Sequence, residues 1–363
     1  MKYRMEEITE SCLGKMLDAQ KNTGEYQPYL ANINVRWGSF DLKNLSLMRF
    51  EEYESERYGV KDGDLVMCEG GEPGRCAIWR EEIPNMKIQK ALHRIRANKD
   101  LVDVEYLYYW FLLSGRNNSL RRFFTETTIK HLPGETLKRL EIDLPDMQIQ
   151  KAISKVLSVI DEKITLNNKI NDNLEQQMRL IFENMMAKAA THKLSGEYTI
   201  AQNLATVVTG KEDANFSVPN GKYKFFTCSN TPLLCDEYVF DSSSVLIAGN
   251  GDFNVKHYSG KFNAYQRTYV LTPDKKYFGL LYLASLYRIN SFKSRSSGSI
   301  VKFITKSDVE NIPVFIPNDM FYLQELNKLI YLQEQNKLEN ELLVNLRDWL
   351  LPMLMNGQAT VSD

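Results

Sequence analysis

The chain repeats itself once, with a fixed offset of 172 residues. The segment Thr128–Leu132 aligns with Ile300–Ile304, which places Lys130 opposite Lys302. Further along, apolar residues and a proline coincide without a gap, namely Leu137, Leu140, Ile142, Leu144 and Pro145 with Val309, Ile312, Val314, Ile316 and Pro317. A period this long is too large for a solenoid repeat. It predicts two copies of a whole module, related by approximate two-fold symmetry.

A long helix is predicted to follow each copy. After Pro145, a four-three heptad pattern extends over about five heptads. The predicted seam residues are Ile153, Leu157, Ile160, Ile164, Asn167, Asn171 and Leu174 in the first helix, and Leu329, Leu332, Asn336, Leu343 and Leu346 in the second. Roughly 40 residues at 1.5 Å per residue form a rod of about 60 Å, longer than a globular core. Each helix is therefore predicted to pair with the other.

Asparagines and a proline interrupt these seams. A buried asparagine destabilises a coiled coil unless it finds a polar partner. Asn167, Asn171 and Asn336 either fix the register between the two helices, or they face solvent or a partner protein. Pro352 removes a backbone donor and clashes with the preceding turn, so the second helix is predicted to kink or stop near Leu351.

Two globular domains are predicted beside these helices. The predicted order is a domain over 1–145, a helix over 146–190, a polar linker over 191–197, a domain over 198–317 and a helix over 318–357. Alternating apolar runs at Asp64–Met67, Ser244–Ala248 and Arg267–Leu271 predict strands, whereas Val104–Leu113 and Gly279–Ile289 predict buried helices. The predicted fold class is α+β, with two mixed α/β domains separated by two long helices.

Composition excludes several classes of protein. With 363 residues, 43% of them apolar, the chain can form two cores. Its five cysteines and four histidines show neither zinc-site nor disulfide spacing. Gly70–Arg75 is glycine-rich but lacks the lysine and hydroxyl of a phosphate loop, and is predicted to form a turn. Met1–Leu17 lacks an apolar leader, and about 18 consecutive apolar residues occur nowhere, so a cytoplasmic protein is expected. Because none of these segments shows a catalytic motif, the protein is also expected to be non-catalytic.

Charge is distributed unevenly although the net charge is only −1. Phe253–Lys306 contains ten basic residues and a single acidic one, Asp274, and Lys87–Arg139 contains eleven basic and five acidic residues. Such a stretch is commonly a solvated face. Its recurrence in both copies favours a functional surface that binds nucleic acid.

Local motifs extend over nearly the whole chain. Those of the first domain are Gly14–Leu17, Pro28–Val35, Gly63–Val66 and Gly70–Arg75, and those of the second are Phe225–Ser229, Ile247–Asp252 and Gly260–Tyr269. The helices contribute Lys151–Gln176, and Leu346–Pro352 with Asn356 and Gly357. These motifs resemble those of the specificity (S) subunits of type I restriction-modification systems. The two domains resemble different classes of target-recognition domain, which implies two different half-sites.

The resemblance implies a DNA-binding function without chemistry. Each domain would bind one half of a bipartite site in double-stranded DNA, and the helices would pack as an antiparallel coiled coil that fixes the spacing. Two methyltransferase (M) subunits would bring S-adenosylmethionine and modify adenines. Restriction/motor (R) subunits would join them. The chain itself would bind no cofactor and no membrane.

Candidate DNA contacts are basic, amide, hydroxyl and tyrosine side chains in the two basic stretches, because such groups bind phosphates or base edges. In the first domain they are Lys90, Arg94, Arg116, Arg121, Arg122 and Lys130. In the second they are Lys256, Tyr265, Gln266, Arg267, Lys293, Arg295, Ser297 and Lys302. The competing hypothesis is a coiled-coil scaffold whose two domains bind proteins, which the near-neutral net charge favours slightly.

Overall fold

The computed structural model describes residues 1–18, 22–126, 130–251, 253–295 and 303–361. The chain forms two compact units. Unit 1 consists of Met1–Lys163 and Leu343–Asp363, and unit 2 is Ile164–Leu342. Both divisions fall inside a long helix, so each unit contains a portion of both helices.

Unit 1 contains many short strands. They are β1 (Lys2–Arg4), β2 (Thr9–Leu13), β3 (Glu25–Leu30), β4 (Val35–Arg36), β5 (Ser39–Phe40), β6 (Ser46–Phe50), β7 (Leu65–Cys68), β8 (Cys76–Ile78), β9 (Lys87–Ile88), β10 (Leu92–Ala97), β11 (Thr125–Glu126), β12 (Lys130–His131) and β13 (Glu141–Asp143). The helices are α1 (Met5–Ile8), α2 (Glu54–Tyr58), α3 (Val104–Arg116), α4 (Gly134–Lys138) and the start of α5 (Met147–Ala190).

In the described part of unit 1, four strands pair in the order β2-β10-β7-β8 and three in the order β6-β3-β9. All four residues of β7 are buried, as expected for a continuous apolar run inside a sheet. Helix α3 packs on β8 and buries most of its aromatic side chains. The Asp103 carboxylate caps α3 by accepting the N–H of Tyr106 at 3.1 Å. The predictions of a strand at Asp64–Met67 and a buried helix at Val104–Leu113 are confirmed.

Unit 2 is built around a larger sheet. Its strands are β14 (Gly196–Ile200), β15 (Ala205–Thr209), β16 (Tyr223–Phe226), β17 (Leu233–Cys235), β18 (Phe240–Ala248), β19 (Val255–Ala264), β20 (Thr268–Pro273) and β21 (Pro313–Pro317). Its helices are α6 (Phe278–Arg295), α7 (Lys306–Glu310) and the larger part of α8 (Met320–Met355). Among its described residues, six strands pair in the order β15-β20-β18-β19-β16-β17, here called the major sheet of unit 2. The strands and the helix predicted for this unit are confirmed.

The sequence repeat is also a structural repeat. Helix α4 and helix α7 occupy positions that differ by the same 172 residues, and each is followed by a strand, β13 or β21. These strands pair with β1 and β14, respectively, in antiparallel fashion. The carbonyls of Leu140 and Ile312, aligned in sequence, both accept a backbone N–H at 2.9 Å, from Met5 and Ala201. The two copies therefore share local contacts as well as sequence.

Within each unit, α5 and α8 run antiparallel. In unit 2, Asn167 contacts Asn340, whereas Asn171, further along α5, contacts Asn336, which is earlier in α8. Helix α5 buries its predicted seam: Ile153, Leu157, Ile160, Asn167, Asn171 and Leu174 are buried and Ile164 is half-buried. The heptad pattern therefore located the packed face of α5.

The predicted packed face of α8 is partly wrong. Leu329 is buried, and Asn336 and Leu343 are half-buried, but Leu332 is 41% exposed and Leu346 is 44% exposed. The buried row lies one residue away and includes Ile330, Gln333, Leu351 and Leu354. Polar residues in this row, such as Gln333 and Arg347, bond to groups on α5. The heptad pattern selected the neighbouring row of apolar residues, because polar residues that pair with α5 occupy part of the buried row.

The seam asparagines pair across the helices. Asn336 Nδ2 donates to Asn171 Oδ1 at 3.0 Å. Asn167 Nδ2 donates to Glu339 Oε2 at 2.7 Å and to Asn340 Oδ1 at 2.9 Å. These contacts confirm the alternative in which the asparagines join the two helices, because a shift of one residue would separate the partners.

Of the kink or stop predicted near Leu351, a stop does not occur, because the helix continues to Met355. Pro352 lies in the last turn, where its missing N–H removes one hydrogen bond from a helix that is about to end. Leu351 and Leu354 are buried in the core of unit 1, which holds this turn in place. Gly357, two residues beyond the end of the helix, has φ +69°, a conformation that commonly follows a helix C-terminus.

In the described ranges, no helix is both long enough and apolar enough to cross a membrane.

Candidate nucleic-acid interface

In the described part of unit 2, three loops that leave the major sheet lie together. They follow β16, join β18 to β19, and join β19 to β20. The side-chain amide of Asn254 donates to the Cys228 carbonyl at 2.7 Å, which ties the first loop to the second. The N–H of Gly249 donates to the Arg267 carbonyl at 2.8 Å, which ties the second to the third. Residues distant in sequence thus form one surface, called here the loop cluster of unit 2 (227–231, 249–251, 253–254 and 265–267).

The turn between β19 and β20 presents Tyr265, Gln266 and Arg267. Gln266 and Arg267 are exposed, and Tyr265 is half-buried. The Arg267 carbonyl accepts the Gly249 N–H, and the Gln266 N–H donates to the Glu212 carbonyl at 2.8 Å. Because the backbone is fixed while the side chains stay exposed, an amide and a guanidinium can bind a ligand side by side. Both groups make bidentate hydrogen bonds to base edges.

Lys256 lies at the base of this cluster. Its Nζ donates to the Thr227 carbonyl at 3.4 Å and to Asn254 Oδ1. Burial lowers the pKa of Lys256 to about 8. An ammonium group that is held in place and partly desolvated attracts a phosphate more strongly than a fully solvated one does, because screening by water is weaker.

A corresponding loop cluster occurs in unit 1, at 69–75, 89–91 and 130–132. The glycine-rich loop follows β7, and its Glu69 N–H donates to the Ala91 carbonyl at 2.9 Å. The Glu69 carbonyl accepts the Leu132 N–H at 2.8 Å. These bonds bring Lys90 and Lys130, both exposed, beside the same loop. Two predicted contacts therefore lie together, as the DNA-binding prediction requires.

The two loop clusters are anchored in the same way. Leu132 and Ile304 are aligned by the sequence repeat. Leu132 donates to Glu69, and Ile304 donates to Gly249, each through a backbone bond of 2.8 Å. Glu69 and Gly249 each come directly after a strand whose last residues are buried. The aligned segment thus contacts equivalent loops in both units.

Other predicted contacts differ in their surroundings. Arg121 and Arg122 are exposed on a turn next to the glycine-rich loop, since a Cβ at Gly74 would lie 2.9 Å from Leu120 Cδ1. The guanidinium of Arg122 stacks over Phe123 at 4.8 Å. Arg116 is exposed but forms an ion pair with Asp348 at 2.5 Å, so part of its charge is already neutralised.

The prediction for Arg94 is revised. Its side chain is 2% exposed. The guanidinium donates to the carbonyls of Glu56, Arg57 and Gly59 and to the Glu10 carboxylate. Arg94 is therefore a structural residue that joins β10 to the end of α2, and it cannot reach DNA. The side chains of Lys293 and Arg295, and the whole of Ser297 and Lys302, lie outside the described residues.

Sequence reasoning missed several groups near these loops. Asn32 donates to the Gly70 carbonyl at 2.9 Å, and the Arg75 guanidinium donates to the Asn32 carbonyl at 3.1 Å. In unit 2, Asn254 was not selected although it contacts both Cys228 and Lys256. Glycine-rich Gly70–Arg75 does form a turn, and its glycines were the available signal. A turn that lies against three distant segments cannot be distinguished by sequence from an ordinary one.

Comparisons with known proteins match most of the chain to one family. The family described as Type I restriction modification DNA specificity domain matches residues 1–176 and 204–344. Over 164 residues, 43% of this chain, the sequence is 37% identical to the type I restriction enzyme EcoDI specificity subunit of Escherichia coli. That match spans only 37% of the E. coli protein.

A longer match has lower identity. Over 311 residues, 73% of this chain and 71% of its relative, the sequence is 24% identical to the type I restriction enzyme MjaIX specificity subunit of Methanocaldococcus jannaschii. The crystal structure of a type I restriction-modification system S subunit from M. genitalium resembles this fold with a TM-score of 0.60 and 18% identity. The likeness covers 98% of this chain and 95% of that one. The predicted α+β fold with two long helices is confirmed by this similarity.

Proposed function

We propose, because this chain belongs to the type I restriction-modification DNA specificity family, that it reads a bipartite target in double-stranded DNA and does no chemistry itself. The observation that supports this function best is the duplicated loop cluster, in which aligned residues Leu132 and Ile304 contact equivalent loops. A scaffold would not need the same anchoring, in both units, of loops that carry exposed cationic or amide side chains. Both the family and the site geometry therefore favour DNA recognition over the coiled-coil scaffold.

In unit 2, side-chain chemistry decides which residues are proposed to bind bases and which to bind a phosphate. Gln266 and Arg267 are exposed on a fixed turn. An amide binds adenine in a bidentate manner, and a guanidinium binds guanine, through the major groove. Lys256 lies deeper, with its ammonium bonded to the neighbouring loops, and would bind a phosphate. Base edges would thus be read by the turn, and register would be set by the lysine.

In unit 1, the exposed candidates are all cationic. Lys90 and Lys130 lie beside the glycine-rich loop, and Arg121 and Arg122 lie on the adjacent turn. Lysine acts mainly as a point charge, whereas arginine can make paired hydrogen bonds. We therefore assign phosphate binding to the lysines and base or phosphate contacts to the arginines.

The proposed partners are two methyltransferase subunits, which would carry S-adenosylmethionine, and restriction/motor subunits. In unit 2 the long helices leave apolar side chains exposed, including Leu166, Leu338 and Leu342. Exposed apolar side chains on two paired helices favour a protein-binding surface. The target adenine would be flipped into the methyltransferase subunit, since enzymes that modify a base must take it out of the duplex.

Genome-wide methylation mapping by long-read sequencing tests this function. Cells that express the chain with its cognate methyltransferase are compared with cells in which only this chain is deleted. We expect a bipartite adenine-methylated motif that disappears on deletion. Complementation with Arg267→Ala should relax the motif in one half only, and complementation with Lys211→Ala serves as a control. A methyltransferase that remains active while no motif depends on this chain would exclude the proposed function.

A further inference from the structure

Three segments of unit 1 end side by side at the loop cluster of that unit. Strands β3 and β9 are parallel, with Leu30 opposite Ile88. Lys15 pairs in parallel with Gln89, the residue after β9. The Leu30 carbonyl accepts the Gln89 N–H at 3.0 Å, and on the other side the Lys15 carbonyl accepts the Lys90 N–H at 2.9 Å. Because parallel neighbours lie about 5 Å apart and run the same way, the residues that follow Lys15, Leu30 and Gln89 lie at one edge.

This edge exposes apolar side chains. Met16 is 55% exposed, Leu17 is 58% exposed and Ile33 is 70% exposed. Lys90 is also exposed, and it lies on the segment between the other two. Single exposed apolar residues are common on any protein surface, but three at one edge beside a cation favour a binding surface. Met16, Leu17 and Ile33 are called here the apolar edge of unit 1.

The backbone that carries Met16 and Leu17 is held in place by the residue before them. Lys15 is buried, and its ammonium donates to the Arg49 carbonyl at 2.9 Å and to the Glu54 carboxylate. These contacts anchor the segment to the interior of the domain. The two apolar side chains that follow therefore stay in water although their backbone is fixed.

The turn that carries Ile33 is fixed as well. The Ala31 N–H donates to Asn34 Oδ1, and the Asn34 N–H donates to the Ala31 carbonyl, each at 2.9 Å. Asn32 Nδ2 donates to the Gly70 carbonyl at 2.9 Å, which ties this turn to the glycine-rich loop. Exposure of apolar side chains is unfavourable. A fixed backbone that maintains such exposure is explained if a ligand covers these side chains.

The neighbouring cations indicate the ligand. Lys90 and Lys130 are exposed at the same loop cluster, and they favour a phosphate backbone. A duplex bound there also presents base edges, and the thymine C5-methyl is the group in the major groove that apolar side chains contact. Amide and guanidinium groups are instead matched to adenine and guanine. The apolar edge is therefore matched to thymine.

We propose that Met16, Leu17 and Ile33 read thymine in the first half-site through its C5-methyl group. The inference rests on the proposed function and specifies how unit 1 performs it. The lysines bind phosphates, while the apolar edge distinguishes thymine from cytosine, which lacks the methyl group. The two units then differ in chemistry, because Gln266 and Arg267 of unit 2 read their bases through hydrogen bonds.

Deoxyuridine tests the contact directly, because it pairs as thymidine does but has no methyl group. The probe is a duplex carrying the motif from the methylation map, with the thymines of both half-sites replaced one at a time. Binding is measured for the full-length chain in complex with its cognate methyltransferase. We expect the loss of one contacted methyl group to weaken binding by the wild type about fourfold.

The variants identify which side chain makes each contact. Met16→Ala, Leu17→Ala and Ile33→Ala are tested singly. For each contacted thymine, one of the three should bind the thymine and uracil duplexes equally, because the contact is already absent. This coupling should be confined to one half-site, the one that Arg267→Ala leaves unchanged.

A matched control comes from unit 2. Val239 is an exposed apolar residue that precedes β18, at the end of the strand away from the loop cluster of unit 2. Val239→Ala should leave the uracil effect unchanged in both half-sites. Because all four substituted side chains are exposed, the variants should fold, and thermal unfolding checks this.

The outcomes separate the inference from the proposed function. A first half-site without thymine on either strand, or a uracil effect that is the same in the wild type and all three variants, would overturn the inference. Equal weakening of the thymine and uracil duplexes would also overturn it, and would indicate side chains that wedge between base steps. If the wild type selects no sequence at all, the proposed function itself fails.

Discussion

Unit 1 and unit 2 attach their domains to the long helices with different chemistry. In unit 1, the Tyr109 hydroxyl of α3 donates to the Asp161 carboxylate at 2.8 Å, and Arg347 of α8 donates to the same carboxylate at 2.6 Å. In unit 2, His257 and Gln333 provide the corresponding attachment. The attachment in unit 1 is an ion pair between an arginine and an aspartate, whereas that in unit 2 includes a contact between an imidazole and a neutral amide. The two copies of the module thus share local structure but differ in the polar groups that join each domain to the long helices.

Substitution of Arg347 should have the largest effect on the difference between the two units. Arg347→Met leaves Asp161 without an ion partner, although Tyr109 still donates to it, whereas Asp348 keeps its ion pair with Arg116. We expect unit 1 to lose about 3 kcal/mol of stability, since a partly buried carboxylate remains without its ion partner. Urea unfolding combined with hydrogen exchange of α3 measures it. Lys328→Ala, which removes an exposed pair on α8, should change stability by less than about 0.5 kcal/mol.

The corrected face of α8 predicts a second large difference. Leu351 is fully buried in the core of unit 1, whereas Leu346 is exposed. Leu351→Ala should destabilise unit 1 by about 3 kcal/mol through the lost contacts and the cavity. Leu346→Ala should stay within about 0.5 kcal/mol. Equal effects in urea unfolding would contradict the assigned face.

The loss of one tyrosine hydroxyl in each unit should have a smaller effect on stability, and the two losses can be compared directly. Tyr109 bonds to Asp161 in unit 1, and Tyr282 bonds to Glu175 in unit 2. Burial, with a lesser effect of the nearby carboxylate, raises the pKa of each phenol, so both remain protonated donors at pH 7. Replacement of either by phenylalanine should cost about 2 kcal/mol, because a hydrogen bond to a charged group is lost. Unequal costs, measured by thermal unfolding, would show that the two attachments are not energetically equivalent.

The smallest predicted effect concerns Lys256. Burial lowers its pKa to about 8, so the ammonium prevails below pH 8 and is lost as the pH rises above it. If Lys256 binds a phosphate, DNA affinity should fall between pH 7 and pH 9, and the slope of log affinity against log salt should weaken by about one. Lys256→Met should bind with the weaker slope at both pH values. Lys90→Met in unit 1 should leave the pH dependence in place.

Patterns that depend on neighbouring residues could be predicted from the sequence. The repeat, the packed face of α5 and the buried strands depend on local periodicity, which burial at Leu157 and along β7 confirms. The packed face of α8 could not be found in the same way. Its row contains Gln333 and Arg347, whose partners lie on another helix. Polar pairing between distant segments leaves no apolar period to detect.

The candidate site was predictable only in part. Exposed Lys90, Lys130 and Arg267 were selected by residue type and charge, and they lie on the loop clusters. Arg94 has the same residue type but is buried against three carbonyls, which no sequence pattern indicates. His257 contacts two residues, Gln333 and Glu334, that lie 76 and 77 residues away in the chain. Such contacts follow from the fold and not from any local signal.

The composition of unit 1 has a consequence for synthesis on the ribosome. Its core contains Leu157 together with Leu351 and Leu354, whereas unit 2 needs only residues 164–342. Because domains fold as their segments emerge, the unit that is begun first is completed last. A chain that is truncated after residue 342 and released would contain all of unit 2 but an incomplete unit 1, whose apolar core stays open. Chaperones and proteases can distinguish such a product from the complete chain.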